Sequence, residues 1–464
     1  MKYYELAYTQ PYLMTLHPDS EMDVAFLGRP EMARAFIEYG DTPELGRSVE
    51  AERFVIDGMR VPANADGYAP AIEDNPEIEV IQFVAHIRGL HAGERVYYRV
   101  AFPDTRGRRV ESEIYDFHTA PEKGQPFTFA QMSDLQLFKP CDHTIHQLGR
   151  HKNDFILFSG DMINGAWRAC DWFTVPGAWQ PEKMVGMAFF DIMQRHDDGV
   201  RLLQYMPFFC CPGNHENDDL RVEGSREWAV QPERYSWKIY MKLFRTYYPE
   251  QEYGFNGKRY YSLDYADMHI TSLMIVRCNP WKTWEAPGYI LRGDIERGSR
   301  QADWLIDDLE SSHAPFKWII MHWHMMNRGD DTQPFLCQPR PDPADPARVI
   351  YPVDTVGEFL DPLFKKTRVS AVSYGHSHVY ERYLIDGVNY IEAAYMGNKY
   401  GKPDGAVNPS GILPVNQQHD FRSYLIVTCD GKTLTGRAYQ ASVEPNGYGY
   451  EGRLFDEYVI AEKH

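Results

Sequence analysis

Long apolar runs are missing from this 464-residue chain, and no stretch approaches the roughly 20 apolar residues that a bilayer-spanning helix needs. The start, Met1-Lys2-Tyr3-Tyr4-Glu5, also lacks the charged-then-apolar pattern of a secretion signal, so a cytoplasmic location is expected and no membrane partner. Positive charge is scarce: 48 Lys and Arg stand against 66 Asp and Glu, a net charge of −18, which argues against nucleic acid as a partner because such binding needs basic patches. Cysteine is sparse too. Seven residues, an odd number with Cys210 and Cys211 adjacent, make no evenly spaced disulfide framework, and reduced thiols are expected. No internal repeat is present. A balance of 43% hydrophobic and 25% charged residues places the chain among ordinary globular proteins rather than disordered ones.

Tryptophan is absent before residue 122, and this marks a division. A chain this long exceeds the roughly 250–300 residues that a single core usually serves. In residues 1–122, Val96, Tyr98, Val100 and Phe102 alternate with Tyr97, Arg99 and Ala101, the period of half-buried antiparallel strands. Met22 to Leu27, Ala35 to Tyr39, Ile78 to Ile87 and Ile114 to Phe117 are further strand candidates, and together they predict a β-sandwich. Residues 123–464 alternate strand runs with helical ones. Ala302, Leu305, Ile306 and Leu309 predict an amphipathic helix behind Ser299 as N-cap, Trp228 to Tyr248 predicts another helix, and Gln338 to Pro346 reads as a long loop.

Six short apolar runs in this second part read as buried strands: Phe127 to Met132, Phe155 to Phe158, Met206 to Cys211, His269 to Cys278, Trp318 to Met321 and Val369 to Ser373. All but the fourth end on a polar cluster. In order, these are Asp134 with Gln136, Gly160-Asp161-Met162-Ile163-Asn164, Gly213-Asn214-His215-Glu216, His322, and Gly375-His376-Ser377-His378. Open α/β sheets build their sites beyond the carboxyl ends of strands, so the clusters are expected to converge. A pair of metal ions needs a bridging carboxylate, imidazoles and oxygens for the other positions, and open sites for water and substrate. Asp134, Asp161, Asn214, His322, His376 and His378 supply that inventory.

These five clusters, in this order, resemble the calcineurin-like metallophosphoesterase superfamily, whose pattern is Asp-x-His, Gly-Asp-x-x, Gly-Asn-His-Asp/Glu, a lone His and Gly-His-x-His. The GNHE and GHSHVYER stretches look most like the purple acid phosphatase branch. So do Gly89-Leu90-His91-Ala92-Gly93 and Tyr115 to Pro121, which are similar to the end of that branch's fibronectin type III-like domain. The resemblance implies an α/β fold, a four-layer α/β/β/α sandwich over 123–464, preceded over 1–122 by the fibronectin type III-like β-sandwich. It implies that Asp134 and His378 hold a first metal, that Asp161 bridges, and that Asn214, His322 and His376 hold a second. His215 would protonate the leaving group as the catalytic acid, and Glu216 would orient its ring.

Two positions depart from the pattern. Asn164 stands where purple enzymes carry the tyrosine that colours ferric iron, and Gln136 stands where the superfamily usually has histidine. Gln136 is then either a neutral oxygen ligand or a hydrogen-bond partner of one. Two metal ions drawn from Fe, Mn and Zn, without the purple band, are the expectation. Some residues have plainer readings: His143, His146 and His151 fit a surface helix, Asp218 and Asp219 a solvated loop, and His324 either lines the pocket or packs beside Trp323. Arg328, Arg382 and Lys399 are candidates to contact a small phosphate ester, Arg382 alternatively a structural ion pair. The reaction expected is hydrolysis of a phosphomonoester or a phosphodiester. The alternative is a metal-binding or interaction module that has lost catalysis.

Overall fold

The computed structural model describes residues 3–61, 75–139, 141–178, 186–194, 200–217, 236–249, 259–278, 290–292, 295, 297–323, 340–342, 345–350, 359–392, 414–418, 421–442 and 452–463. Arg328, Lys399, His324, Asp218 and Asp219 lie outside them.

The described residues of 12–118 form nine strands: β1 (Tyr12–Met14), β2 (Glu21–Gly28), β3 (Phe36–Gly40), β4 (Arg47–Glu50), β5 (Glu52–Ile56), β6 (Val80–Arg88), β7 (Arg95–Pro103), β8 (Arg109–Glu111) and β9 (Tyr115–His118). They make two antiparallel sheets, one ordered β1-β2-β6-β5, the other β4-β3-β7-β8 with β9 also paired to β7. Val96, Tyr98, Val100 and Phe102 of β7 point inward as the alternation predicts, against Val24 and Phe26 of β2 and Ile81, Phe83 and Ala85 of β6. The alternation on β7 is softened by Ala101, which is buried as well. Strands β2 and β6 go further and bury both faces. Ala25, Leu27, Val80 and Val84, with Tyr12 and Met14, join the larger core of the rest of the chain.

The remaining strands are β10 (Phe127–Met132), β11 (Phe155–Ser159), β12 (Phe208–Cys211), β13 (Tyr261–Tyr265), β14 (Met268–Ser272), β15 (Val276–Cys278), β16 (Ile290–Arg292), β17 (Phe316–Ile320), β18 (Arg340–Asp342), β19 (Asp345–Ile350), β20 (Ala371–Tyr374), β21 (Tyr380–Ile385), β22 (Val388–Glu392), β23 (Asn416–Gln418), β24 (Ser423–Cys429), β25 (Thr433–Gln440) and β26 (Arg453–Glu462). The helices are α1 (Cys141–Leu148), α2 (Ala169–Trp172), α3 (Phe189–Met193), α4 (Asn214–Asn217), α5 (Ser236–Leu243), α6 (Arg300–Ser311) and α7 (Asp361–Lys366). Two mixed sheets carry the site. One is ordered β12-β11-β10-β24-β25-β26, with β10, β11 and β12 parallel; the other is β13-β14-β17-β20-β22-β21-β23, with β14, β17, β20 and β22 parallel.

Parallel strands buried on both faces read as unbroken apolar runs, and β11 and β17 are buried at every position. On β17 the period of two still sorts the contacts. Trp318 and Ile320 join the core shared with the first sheet, the Trp318 ring meeting Phe129 edge-on at 5.0 Å, while Ile319 turns to the opposite side, where Ala302, Leu305 and Leu309 of α6 and Leu363 and Phe364 of α7 pack. Helix α6 starts as predicted, with the Ser299 side chain accepting from the Ala302 N–H.

Three expectations need correction. The fourth run is broken: β14 ends at Ser272, and β15 pairs with β16 in a separate ladder. Of the long loop, Arg340–Asp342 and Asp345–Ile350 pair as an antiparallel hairpin, because backbone pairing does not require a side-chain period. Of the Trp228 to Tyr248 span, the helix covers Ser236–Leu243, and residues 228–235 lie outside the described residues. His143 and His146 do sit on a helix, half-buried on α1, and the ring of His151 just beyond packs on Tyr424 and Tyr439.

Candidate metal centre

Strand ends from both sheets meet at one place. Asp134 follows β10, Asp161 follows β11, Asn214 follows β12, His322 follows β17, and His376 and His378 follow β20. All five predicted clusters therefore converge. One ligand atom each from Asp161, His322 and His376 lies within 4.8 Å of the others, and the same holds for Asp134, Asp161 and His378. The two groups share Asp161. Asn214 belongs with the first, since its Oδ1 is 3.1 Å from His322 Nε2 and 2.9 Å from His376 Nδ1.

The backbone is bent to achieve this. Asp134, Asp161, His376 and His378 all have positive φ, at 52°, 60°, 84° and 59°, conformations that cost non-glycine residues of order 1 kcal/mol or more each and persist where surroundings over-determine them. Neighbouring glycines make room. A Cβ on Gly213 would run into Asp161 Oδ1, and one on Gly375 into Asp134 Oδ2.

Hydrogen bonds fix the ligand orientations. His322 Nδ1 donates to the Ser159 carbonyl at 2.7 Å, which leaves Nε2 facing Asp161 Oδ2 at 3.3 Å. His378 Nε2 lies 3.3 Å from Asp134 Oδ1, and both Asp134 oxygens accept from the His376 N–H. Glu392 on β22 accepts from both the N–H and the hydroxyl of Ser377, tying down the turn between the two histidines, and the Trp323 ring lies tilted over His376 with centroids 3.9 Å apart. Burial alone would raise the Asp161 carboxyl, yet the His322 and His215 imidazoles beside it hold it well below the usual carboxylate range. Burial would likewise depress His322, but Asp161 pushes it up to about 10.

Gln136 reaches the site as a hydrogen-bond partner. Its Nε2 donates to Asp161 Oδ2 at 2.9 Å, and its backbone carbonyl accepts from the Asn164 side-chain amide. His215 sits at the rim with its side chain 16% exposed and Nε2 3.8 Å from Asp161 Oδ2. Its Nδ1 faces the Asn164 carbonyl at 3.0 Å.

Glu216 differs from expectation. It does not address the His215 ring; it accepts the backbone N–H groups of Asp161, Met162 and Gly213 at 2.6–2.8 Å. A buried carboxylate needs several donors, and three amides at the ends of β11 and β12 provide them. Burial, then the charge of Asp161, lifts its carboxyl to about 7. The residue that faces the ring is Asn164. Arg382 is the structural partner foreseen as one alternative, paired with Asp456 at 2.9 Å.

Carboxylates, imidazoles and an amide oxygen in two groups with one shared carboxylate form a donor set suited to a pair of transition metals. Comparison with known proteins agrees. Residues 127–380, more than half of the chain, match the calcineurin-like phosphoesterase model, and the chain belongs to that family. A probable purple acid phosphatase 20 of Arabidopsis thaliana is 22% identical over 292 residues, covering 62% of this chain and 52% of that protein, so the chain spans about half the length of this curated relative. Among solved structures, the purple acid phosphatase PPD1 from yellow lupin aligns with a TM-score of 0.65 at 16% identity over 97% of this chain and 73% of that one. PhoD aligns with a TM-score of 0.63 at 14% identity over 98% of this chain and 91% of that one. The chain is thus similar in fold both to a purple acid phosphatase and to PhoD, and its two ligand groups with one shared carboxylate make a centre of the dinuclear kind.

Proposed function

We propose that this protein hydrolyses a small phosphate ester, monoester or diester, at the shared-carboxylate centre, with His215 as general acid. The observation that carries the reading is the position of His215 Nε2 beside the bridging carboxylate of two ligand groups. Asp134 and His378 would hold one ion, Asn214, His322 and His376 the other, and Asp161 both. Ions held there would supply Lewis acidity toward the phosphoryl oxygens and the attacking water. His215 protonates the departing oxygen from Nε2, while the Asn164 carbonyl accepts from Nδ1 and fixes the orientation of the ring. Glu216 contributes by holding the loop ends around Asp161.

The same reading takes residues 1–122 as a fibronectin type III-like sandwich and 123–464 as the four-layer catalytic domain. Five described cysteines are buried and free, which supports a reducing, cytoplasmic setting. Among the described residues no helix is long and apolar enough to cross a membrane.

Turnover on p-nitrophenyl phosphate, bis-p-nitrophenyl phosphate and glycerol phosphate by metal-reconstituted protein tests the proposal. His215→Ala should slow glycerol phosphate roughly 10²-fold or more and p-nitrophenyl phosphate far less, because p-nitrophenolate leaves without a proton. Equal losses on both would refute the acid role, and two bound metals with no turnover would refute the enzyme. With Asn164 in place of the tyrosine, iron-loaded protein should show no tyrosinate-to-iron absorption band.

A further inference from the structure

We propose that the Met59–Val61 segment of the N-terminal part positions His215, acting through the 164–171 segment; this rests on the acid role given above. The contact is made by backbone. The Arg60 N–H donates to the Trp167 carbonyl at 2.8 Å, and the Ala169 N–H donates to the Arg60 carbonyl at 2.9 Å, a parallel bridge between Arg60 and Arg168. On its other side Met59–Val61 pairs with Pro76–Ile78, through Val61 N–H to Pro76 O and Ile78 N–H to Met59 O, both at 2.9 Å. Segment 167–169 is thus the third strand of a small ladder whose other two strands come from the N-terminal part. Met59 and Trp167 anchor that ladder in the main core.

From the ladder a continuous path leads to the ring. Ala169 opens α2, and Asp171 within it is fully buried and paired with Arg168 at 3.3 Å. Asp171 Oδ2 accepts the Asn164 N–H at 3.1 Å, and the Asn164 carbonyl accepts from His215 Nδ1. Trp172 closes the turn by donating to the Ala166 carbonyl at 2.8 Å. Asn164 is therefore held from both ends: its amide by Asp171, its side chain by the Gln136 carbonyl. Displacing 167–169 shifts the carbonyl that aims the ring, and even a small misplacement of a catalytic acid lowers the rate steeply. Asp171 and Arg60 are positioning residues, since neither touches substrate.

The test uses full-length holoenzyme. Ala169→Pro removes the one N–H donated to Arg60, at the first helical position where proline is tolerated, and Arg168 before it is already extended at ψ 108°. Asp171→Ala removes the acceptor for Asn164, and Asp171→Asn keeps one. The ratio of kcat on glycerol phosphate to kcat on p-nitrophenyl phosphate is measured alongside His215→Ala, with amide hydrogen exchange over 164–172 and the ¹⁵N shift of the His215 ring. We expect Ala169→Pro and Asp171→Ala to lower the ratio by about tenfold toward that of His215→Ala, with faster exchange and a changed ring shift. Asp171→Asn should recover most of the ratio, and Ala169→Pro should add nothing in a His215→Ala background. A ratio unchanged in Ala169→Pro and Asp171→Ala while His215→Ala collapses it would overturn the positioning role alone. A ratio that His215→Ala leaves unchanged overturns the acid reading and this inference with it. If Ala169→Pro does not fold, the Asp171→Ala and Asp171→Asn pair decides.

Discussion

The side-chain amide of Gln136 donates to Oδ2 of Asp161, the same oxygen that lies 3.3 Å from His322 Nε2. The position that would ordinarily carry an imidazole ligand thus restrains the carboxylate that the two ligand groups share. Gln136→His should exchange this hydrogen bond for a ligand and slow loss of metal to a competing chelator by about tenfold. Unchanged loss would place residue 136 out of reach of the ion.

Asp161 serves both ligand groups, whereas His376 serves one. Asp161→Asn should therefore lower bound metal from about two ions per chain to fewer than one, and His376→Ala should leave about one. Elemental analysis after gel filtration distinguishes them. Equal stoichiometry in the two variants would mean that Asp161 does not bridge.

A pH dependence is expected away from the centre. His269 on β14 contacts Asp264 at 2.7 Å and Asp308 of α6 at 3.0 Å. Burial would lower its pKa, but the two carboxylates raise it to about 9. A group whose folded pKa is raised contributes stability that is complete below the unfolded value near 6.5 and fades as pH rises through 9. His269→Gln should cost on the order of 1–3 kcal/mol at pH 6 and much less at pH 10, read as a shift in urea midpoint. The same cost at both values would show that the imidazole is not charged in the folded state.

Removing residues 1–122 should not release a folded catalytic unit. Tyr12, Ala25, Leu27, Val80 and Val84 pack into the same core as Phe208 and Leu243, Tyr12 donates to the Leu243 carbonyl at 2.9 Å, and Leu13 bridges to Pro207 just before β12. The truncated chain should bind a hydrophobic dye and lose near-ultraviolet circular dichroism. Retention of native near-ultraviolet bands would mark the N-terminal part as a mere spacer.

The strand ends were legible because each apolar run stops abruptly on polar residues, and that local contrast survives in any fold. His322 was legible only by its place between the GNHE and GHSH clusters. The partners that aim these groups were not. Glu392 contacts Ser377 across 15 residues, and Asp171 finds Asn164 through a turn that no periodicity announces. Glu216 was misassigned for a related reason: adjacency to His215 in sequence suggested a side-chain contact, whereas its helical turn aims it back at the β11 end. The two-faced burial of β2 and β6 was hidden because Asp23 and Gln82 interrupt their apolar runs; both are buried, Asp23 accepting from Thr246 and Gln82 donating to the Leu243 carbonyl.

Each ligand group draws on both sheets. Asp134 and Asp161 follow strands of the first, His322, His376 and His378 strands of the second, and packing rather than covalent linkage holds the two sheets face to face. An ion bound there acts as a rivet through the two sheets. Loading should delay the moment when they part, raising the melting temperature in proportion to the logarithm of free metal, and the distance between the ions should report how the two sheets are seated on each other.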